Sequence, residues 1–138
     1  MVKRLLGVLS FMLFHTALYA AENNPVSFET LLKTGKSWDG KELEAYPGGS
    51  PEVTILKVKV PPGAVVDKHK HPVMSAAVII SGEITVVSEH GDRVTFKAGD
   101  AVVELVDTVH YGTNTGLVDT ELLVFYAGVK GMPLSIKE

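Results

Sequence analysis

Apolar and polar residues alternate in short runs along the chain from residue 52 onward, and glycine-containing turns separate the runs. In residues 53–60, one face is mostly apolar, whereas the other carries Lys57 and Lys59. A repeat of two residues is typical of a half-buried β-strand. Besides a histidine-containing strand discussed below, the same reasoning predicts strands over residues 76–80, 83–88, 93–97, 101–106, 110–114 and 121–126. Many short strands without a long helical period predict an all-β barrel or sandwich.

The segment before the first strand lacks this alternation and is predicted to form an irregular arm. Within it, residues 27–33 predict one or two helical turns, because Ser27 can cap the N-terminus and Gly35 can end the helix. Trp38 is the single tryptophan of the chain. We expect its ring to anchor the arm against the outside of the barrel.

The first twenty residues have the pattern of a secretory signal peptide. Lys3 and Arg4 precede an apolar run, and residues 17–21 offer small side chains for cleavage. The apolar run is shorter than the roughly 20 residues that a spanning helix needs. We therefore predict cleavage after Ala20, a periplasmic or secreted protein, and no stable membrane insertion afterwards. An uncleaved anchor is the alternative. The predicted division is signal peptide 1–20, arm 21–51, barrel domain 52–128 and C-terminal tail 129–138.

The composition excludes several classes of function. A chain of 138 residues has room for one domain with a moderate core. It contains no cysteine, which excludes disulfides, thiolate metal ligands and cysteine nucleophiles. The net charge is −3, and the chain has no basic run, so nucleic acid is not an expected partner.

His69 and His71 stand two positions apart in a run that follows a Pro-Pro-Gly turn. Side chains with this spacing on an extended strand point to the same face. The pair can therefore offer two imidazoles to one metal ion, and neutral imidazole is the commonest metal ligand in proteins. By contrast, His90 lies beside Gly91 at a predicted hairpin tip, where we expect it to be solvated.

The spacing of four residues around this pair resembles the first motif of the cupin superfamily, a family of small jelly-roll barrels. Gly63, His69, His71 and Gly82 stand where that motif has its glycines and its His-x-His. Ser75 stands where the motif has a glutamate.

A second, later block resembles the second cupin motif. Gly99, His110 and Asn114 stand at the glycine, histidine and asparagine positions of that motif. Leu105 and Asp107 replace its proline and its second glycine. The resemblance covers about residues 52–127 and includes seven matching positions in two separate blocks.

The cupin resemblance implies a single jelly-roll β-barrel, also called a double-stranded β-helix, with a divalent metal in one end. It implies that His69, His71 and His110 are the metal ligands. Such a donor set suits Fe, Zn, Mn, Ni or Cu and does not choose among them. Either the three histidines bind alone, leaving other positions open to water and substrate, or Glu104 replaces the missing glutamate.

Glu104 is the lone acid in the otherwise apolar residues 101–106. An unpaired buried carboxylate costs several kcal/mol or becomes protonated, so a metal or a metal-bound water is a natural partner. This makes Glu104 the candidate catalytic residue. The alternative is that Glu104 ends its strand and pairs with a lysine or arginine at the rim. We expect Ser75 to face inward, Asn114 to brace the ligand strand and Tyr126 to pack.

The predicted function is that of a metal-dependent enzyme, of oxygenase or isomerase type, acting on a small organic molecule in the barrel. The alternative is a non-catalytic barrel that binds or senses a small molecule or a metal. A metal-free, sugar-epimerase-like cupin is a weaker third option, because the His-x-His is intact. The family resemblance also implies a homodimer.

Overall fold

A computed structural model describes residues 25–138, and in this range the secondary structure consists of strands alone. The predicted signal peptide lies outside the described residues. From residue 25 onward, no helix has the length and hydropathy that crossing a membrane requires. The strands are β1 (Pro51–Val60), β2 (Val65–Lys70), β3 (Met74–Ser81), β4 (Glu83–Ser88), β5 (Arg93–Lys97), β6 (Ala101–Val103), β7 (His110–Thr113), β8 (Thr120–Val129) and β9 (Ile136–Lys137).

The strands form two sheets that face each other. The first has the order β1-β8-β3-β6, and the second has the order β5-β4-β7-β2-β9. All paired strands are antiparallel. The chain passes from one sheet to the other at almost every connection, which is the arrangement of a jelly roll. The predicted all-β jelly-roll fold is therefore confirmed.

The core lies between the two sheets and contains the inward-facing side chains of both. Along β3, for example, Ser75, Ala77 and Ile79 are buried and alternate with partly exposed neighbours. Burial of every second residue is what the alternating pattern predicts for a strand with one face towards a core. The buried apolar cluster comprises Val60, Val73, Ala77, Ile79, Ile84, Val86, Val102, Leu122, Val124 and Tyr126.

Besides small shifts at the ends of other strands, the observed strands differ from the predicted ones at two places. β6 ends at Val103, although the apolar run continues to residue 106. The chain leaves the sheet there and turns at Asp107, whose φ of 52° is left-handed. In addition, the predicted tail contains β9, which pairs with β2. Two residues are too few to show an alternating pattern, so the sequence carries no signal for this strand.

The helix predicted for residues 27–33 is wrong. Residues 25–34 have neither helical nor strand structure, and Phe28 and Leu31 are exposed. A helix of one or two turns is marginal in water unless an apolar face packs on the rest of the protein. Trp38 is partly buried and packs against the core cluster, and its backbone N–H donates to the Val103 carbonyl at 3.1 Å.

Candidate metal centre

Three histidines meet at one end of the barrel because two neighbouring strands bring them there. His69 on β2 lies directly opposite His110, the first residue of β7. His71 follows the end of β2 and points to the same side as His69. The ring centroids are 4.8 Å apart for His69 and His71, 4.6 Å for His69 and His110, and 5.1 Å for His71 and His110.

The hydrogen bonds of the three rings fix which nitrogen faces the centre. Nδ1 of His69 lies 2.7 Å from the Asp67 carbonyl oxygen, and Nδ1 of His110 lies 2.9 Å from that of Thr108. Nδ1 of His71 lies 2.9 Å from the Leu134 carbonyl oxygen. A carbonyl oxygen can only accept, so each Nδ1 carries the proton and each Nε2 has a free lone pair.

This donor set fits a divalent transition metal. One ring nitrogen from each of the three histidines lies within 4.8 Å of the other two. Ligating histidines commonly donate their second N–H to a carbonyl or carboxylate, which fixes the tautomer and the ring orientation. Here all three rings have that second bond, so Nε2 of each ring is left free to bind an ion.

Burial favours the neutral form of two of the imidazoles. His71 and His110 are almost fully buried, at 4% and 3% exposure. Burial lowers the pKa of His71 to about 4, although its bond to Leu134 opposes the shift. Burial also lowers the pKa of His110. Since a metal binds only the neutral ring, these histidines need lose no proton at neutral pH before binding.

Glu104, the residue directly after β6, extends its side chain to the same centre. Its Oε2 lies 3.7 Å from Nε2 of His110, and its side chain is 15% exposed. Burial raises the pKa of this carboxyl to about 7, and the charge of a protonated His69 would lower it. Among residues 25–138, no lysine or arginine lies within ion-pairing distance of Glu104. The carboxylate therefore lies beside His110, and the rim pair with a lysine or arginine is absent among the described residues.

Ser75 lies beside Glu104, because the Glu104 N–H donates to the Ser75 carbonyl at 2.9 Å. Ser75 faces inward with 1% exposure, and its hydroxyl has no hydrogen-bond partner among the described residues. It is not among the residues that line the central cavity. Ser75 thus fills space, while Glu104 brings a carboxylate to the centre from the end of the neighbouring strand.

The three histidines and Glu104 lie at the polar end of a cavity of about 90 Å³ between the sheets. Tyr126 also lines this end, with its ring centroid 5.5 Å from that of His71. Burial, and then the charge of Glu104, raise the pKa of the Tyr126 hydroxyl. The packing expected for Tyr126 is present, and its ring also forms part of the cavity wall. The alternation along β8 is the sequence signal that could have placed it on the inner face.

Two further residues occupy the places expected for them. Asn114 is buried, and its amide donates to the carbonyls of Val60 and Val118, each at 2.8 Å. It thereby ties the end of β7 to the end of β1, which is the bracing role expected for it. His90 is exposed in the turn between β4 and β5.

The C-terminal tail contributes to the centre in a way that the sequence did not indicate. Leu134 supplies the carbonyl that orients His71, and Lys137 on β9 lies opposite His69 on β2. Leu134 and His71 are 63 residues apart, so only the tertiary structure brings them together.

Comparison with known proteins gives one family and several solved structures of similar fold. A family model for the cupin domain matches residues 56–126. A conserved protein with a double-stranded β-helix domain from Klebsiella pneumoniae superposes with a TM-score of 0.54 at 20% identity, covering 77% of this chain and 90% of its own. No curated protein sequence is significantly similar to the chain.

Two enzymes have the same fold at similarly low identity. The DMSP lyase DddQ from Ruegeria pomeroyi gives a TM-score of 0.54 at 20% identity, covering 71% of this chain and 46% of that enzyme. The oxalate decarboxylase from Lactobacillus farciminis gives 0.54 at 21%, covering 62% of this chain and 26% of that enzyme. The chain spans less than half of either enzyme's length, and at these identities the likeness concerns the fold alone.

Proposed function

This chain belongs to the cupin family, and from that premise we propose that it is a metal-dependent enzyme, of oxygenase or isomerase type, acting on a small organic molecule. The metal would be one divalent transition ion held by His69, His71 and His110. The supporting observation is that three imidazoles, each with its Nδ1 bonded to a backbone carbonyl, each bring a ring nitrogen to within 4.8 Å of the other two.

In the proposed reaction, the ion and the side chains around it would have different roles. A divalent ion at this point would polarise a carbonyl or enol oxygen as a Lewis acid. Glu104, next to His110, is the candidate proton acceptor and donor, because a carboxyl with a pKa raised towards neutrality can work in both directions. The Tyr126 hydroxyl, at the same end of the cavity, can donate a hydrogen bond that orients the bound molecule.

Glu104 has a second possible role, as the fourth metal ligand. Its carboxylate lies on the same side of the cavity as the three Nε2 atoms, and Ser75 provides no competing carboxylate. The two roles differ in their consequence for metal binding. Removing a ligand weakens the binding of the ion, whereas removing an acid–base group leaves the ion bound and slows turnover.

Elemental analysis of the untagged protein tests the metal site and the role of Glu104 together. We expect about one metal per chain, at least about tenfold less in His71→Ala, and no loss in His90→Ala, whose ring is exposed at a hairpin tip. Glu104→Ala loses the metal if Glu104 is a ligand and keeps it if Glu104 is an acid–base group. Circular dichroism of each variant checks that the strands are retained.

Absence of metal from the wild-type protein, with no uptake on reconstitution, would contradict the proposal. The identity of the metal then directs the activity screen. Iron or copper leads to measurements of oxygen uptake, and zinc leads to isomerisation assays.

A non-catalytic barrel that binds a small molecule is the second candidate function. One observation favours it: apart from the histidines, Glu104 and Tyr126 are the only titratable side chains among the described residues that line the cavity. Bound metal together with ligand binding, but without turnover in either screen, would support this reading.

We further propose that the mature chain begins at Ala21, is periplasmic or secreted, and forms a homodimer. The basic, apolar and small-residue pattern of residues 1–21 supports export. Mass spectrometry of the preparation used for elemental analysis gives the N-terminus. A chain that still carries residues 1–20 after expression in a bacterium would contradict cleavage.

A further inference from the structure

We infer that the cavity accepts a molecule with a singly negative, metal-binding head and a short aliphatic tail, and that it rejects molecules with a second charge at the far end. This inference rests on the proposed metal centre and adds the chemical class of the ligand. It follows from the contrast between the two ends of the cavity.

One end of the cavity is polar and the rest is aliphatic. The polar groups are the three histidines, Glu104 and Tyr126, and they lie together. The remaining walls come from both sheets, and except for one glycine they are branched aliphatic side chains: Val58, Val60, Val66, Ile84, Val86, Leu122 and Val124. A ligand that reaches the metal centre therefore places its other end against hydrocarbon.

The charge of the centre matches an anionic head. Three neutral imidazoles add no charge to a divalent ion, so the centre would be positive once the ion is bound. A carboxylate or enolate on the ligand would complement that charge. A neutral head would leave it without a counter-charge in a buried site.

The aliphatic end has nothing to stabilise a second anion. No lysine or arginine is found among the described residues that line the cavity. An ionised carboxylate moved from water into such a place, without a partner, costs far more than a lost hydrogen bond. A dicarboxylate with one acid group at the metal would have to bury the other against the valines.

The size of the cavity limits the tail. Its volume of about 90 Å³ is small, and the ion and the head of the ligand take up the polar end, so the tail is limited to a few carbon atoms. Longer chains would have to displace packed side chains of the core, which is costly in a closely packed interior.

Gly112 on β7 keeps this space open. A Cβ placed there would lie 2.9 Å from Cδ1 of Ile84 and 4.0 Å from Cγ2 of Val66, and both of those residues line the cavity. The backbone of Gly112 has no left-handed φ, so its conformation does not require glycine. The missing side chain therefore makes room for the Ile84 side chain, and a side chain at Gly112 would push Ile84 into the cavity, which makes Gly112 a specificity-determining residue.

Calorimetric titration of the metal-loaded protein with straight-chain acids tests the inference. The probes are acetate, propionate, butyrate and hexanoate, with succinate as the partner of butyrate that carries a second carboxylate at the same length. We expect affinity to rise about fourfold with each added methylene up to butyrate, because each buried methylene contributes a hydrophobic gain of this size. Hexanoate should bind more weakly than butyrate, and succinate at least about tenfold more weakly.

Gly112→Ala should move the optimum from butyrate to a shorter acid without loss of metal. Gly48→Ala is the matched control, because a Cβ at that position meets nothing within 4 Å. Equal binding of succinate and butyrate, or an affinity independent of chain length, would overturn the inference while the bound metal upholds the proposed centre. A protein that takes up no metal would instead overturn the centre, and the inference with it.

Discussion

At the scale of single residues, Asp107 is the clearest case of backbone geometry serving the centre. It is the only non-glycine residue with a left-handed φ in the described part of the chain, at 52°. It stands where the cupin motif has a glycine, the residue that adopts this conformation without strain. Its backbone N–H donates to the His71 carbonyl at 2.8 Å, so the turn holds the chain at a histidine of the centre.

Replacing Asp107 by valine should lower the free energy of unfolding by about 1–2 kcal/mol, because a β-branched side chain is poorly tolerated at a left-handed φ. Asp107→Gly, the matched control, should show no such loss, since glycine adopts the same φ freely. Urea unfolding of the three proteins measures the difference. Equal stability of the valine and glycine variants would contradict the role of the turn.

The histidines could be predicted from the sequence, but the atoms that orient them could not. Strand alternation places His69 and His71 on one face, and the spacing of the cupin motifs adds His110. The groups that fix the tautomers are backbone carbonyls, and one of them belongs to Leu134 in a segment without a pattern. Backbone carbonyls carry no sequence information, so such contacts become visible only in the folded chain.

At the scale of elements, β9 and the segment before it support β2, the strand that carries His69, and the adjacent His71. β9 extends the second sheet beyond β2, and the segment before β9 carries the Leu134 carbonyl. These two contributions to the centre are separable along the chain. Leu134 precedes β9, so a truncation can remove the strand and leave the carbonyl in place.

A chain that ends after residue 135 should keep most of its metal affinity, whereas one that ends after residue 132 should lose about 10–100-fold. Loss of the group that receives a ligand's second N–H typically has an effect of this size. Competition with a metal-binding dye measures the affinities, and the full-length protein is the reference. Similar affinities for both truncations would show that the Leu134 carbonyl does not orient His71.

Most strands could be predicted, because half-buried strands have a clear repeat of two. β4 and β5 have the predicted bounds, and β1, β3 and β8 are longer than predicted. The failures have a common cause. The end of β6, the short β9 and the absence of a helix in the arm depend on what surrounds each segment, and local alternation does not report that.

At the scale of the whole molecule, the outer face of the first sheet has an exposed apolar patch next to the ion-paired Lys57 and Lys59. Ile55 on the edge strand β1 lies opposite Phe125 on β8, and both are exposed. The other edge of β1 has no partner strand among the described residues. Residues 25–33, which include the exposed Phe28, likewise make no backbone hydrogen bonds within the described chain. Exposed apolar surface beside an unpaired strand edge is typical of a protein interface. A second copy of the chain offers the same two features, an apolar surface to pack on and a strand edge to pair with.

Ile55→Glu should therefore convert the proposed dimer to a monomer, because it places a charge in this apolar patch, beside the unpaired edge of β1. Leu117→Glu is the control, since Leu117 is 96% exposed on the loop between β7 and β8. Sedimentation velocity of the wild type and both variants measures the mass. A wild-type monomer, or an Ile55→Glu variant that remains dimeric, would contradict this interface.

The pairing of the strands also determines when the centre forms. Between residues 25 and 138, the only paired strands that are consecutive in the chain are β4 and β5. By contrast, β1 pairs with β8 and β2 pairs with β7, which are far away in the sequence. Distant pairings make folding slow, in the range of milliseconds to seconds for barrels and sandwiches. The three imidazoles meet only when β2 and β7 pair, so the ion is captured late, from whichever compartment the chain occupies when folding ends. For an exported chain, metal supply outside the cytoplasm decides which element the protein carries.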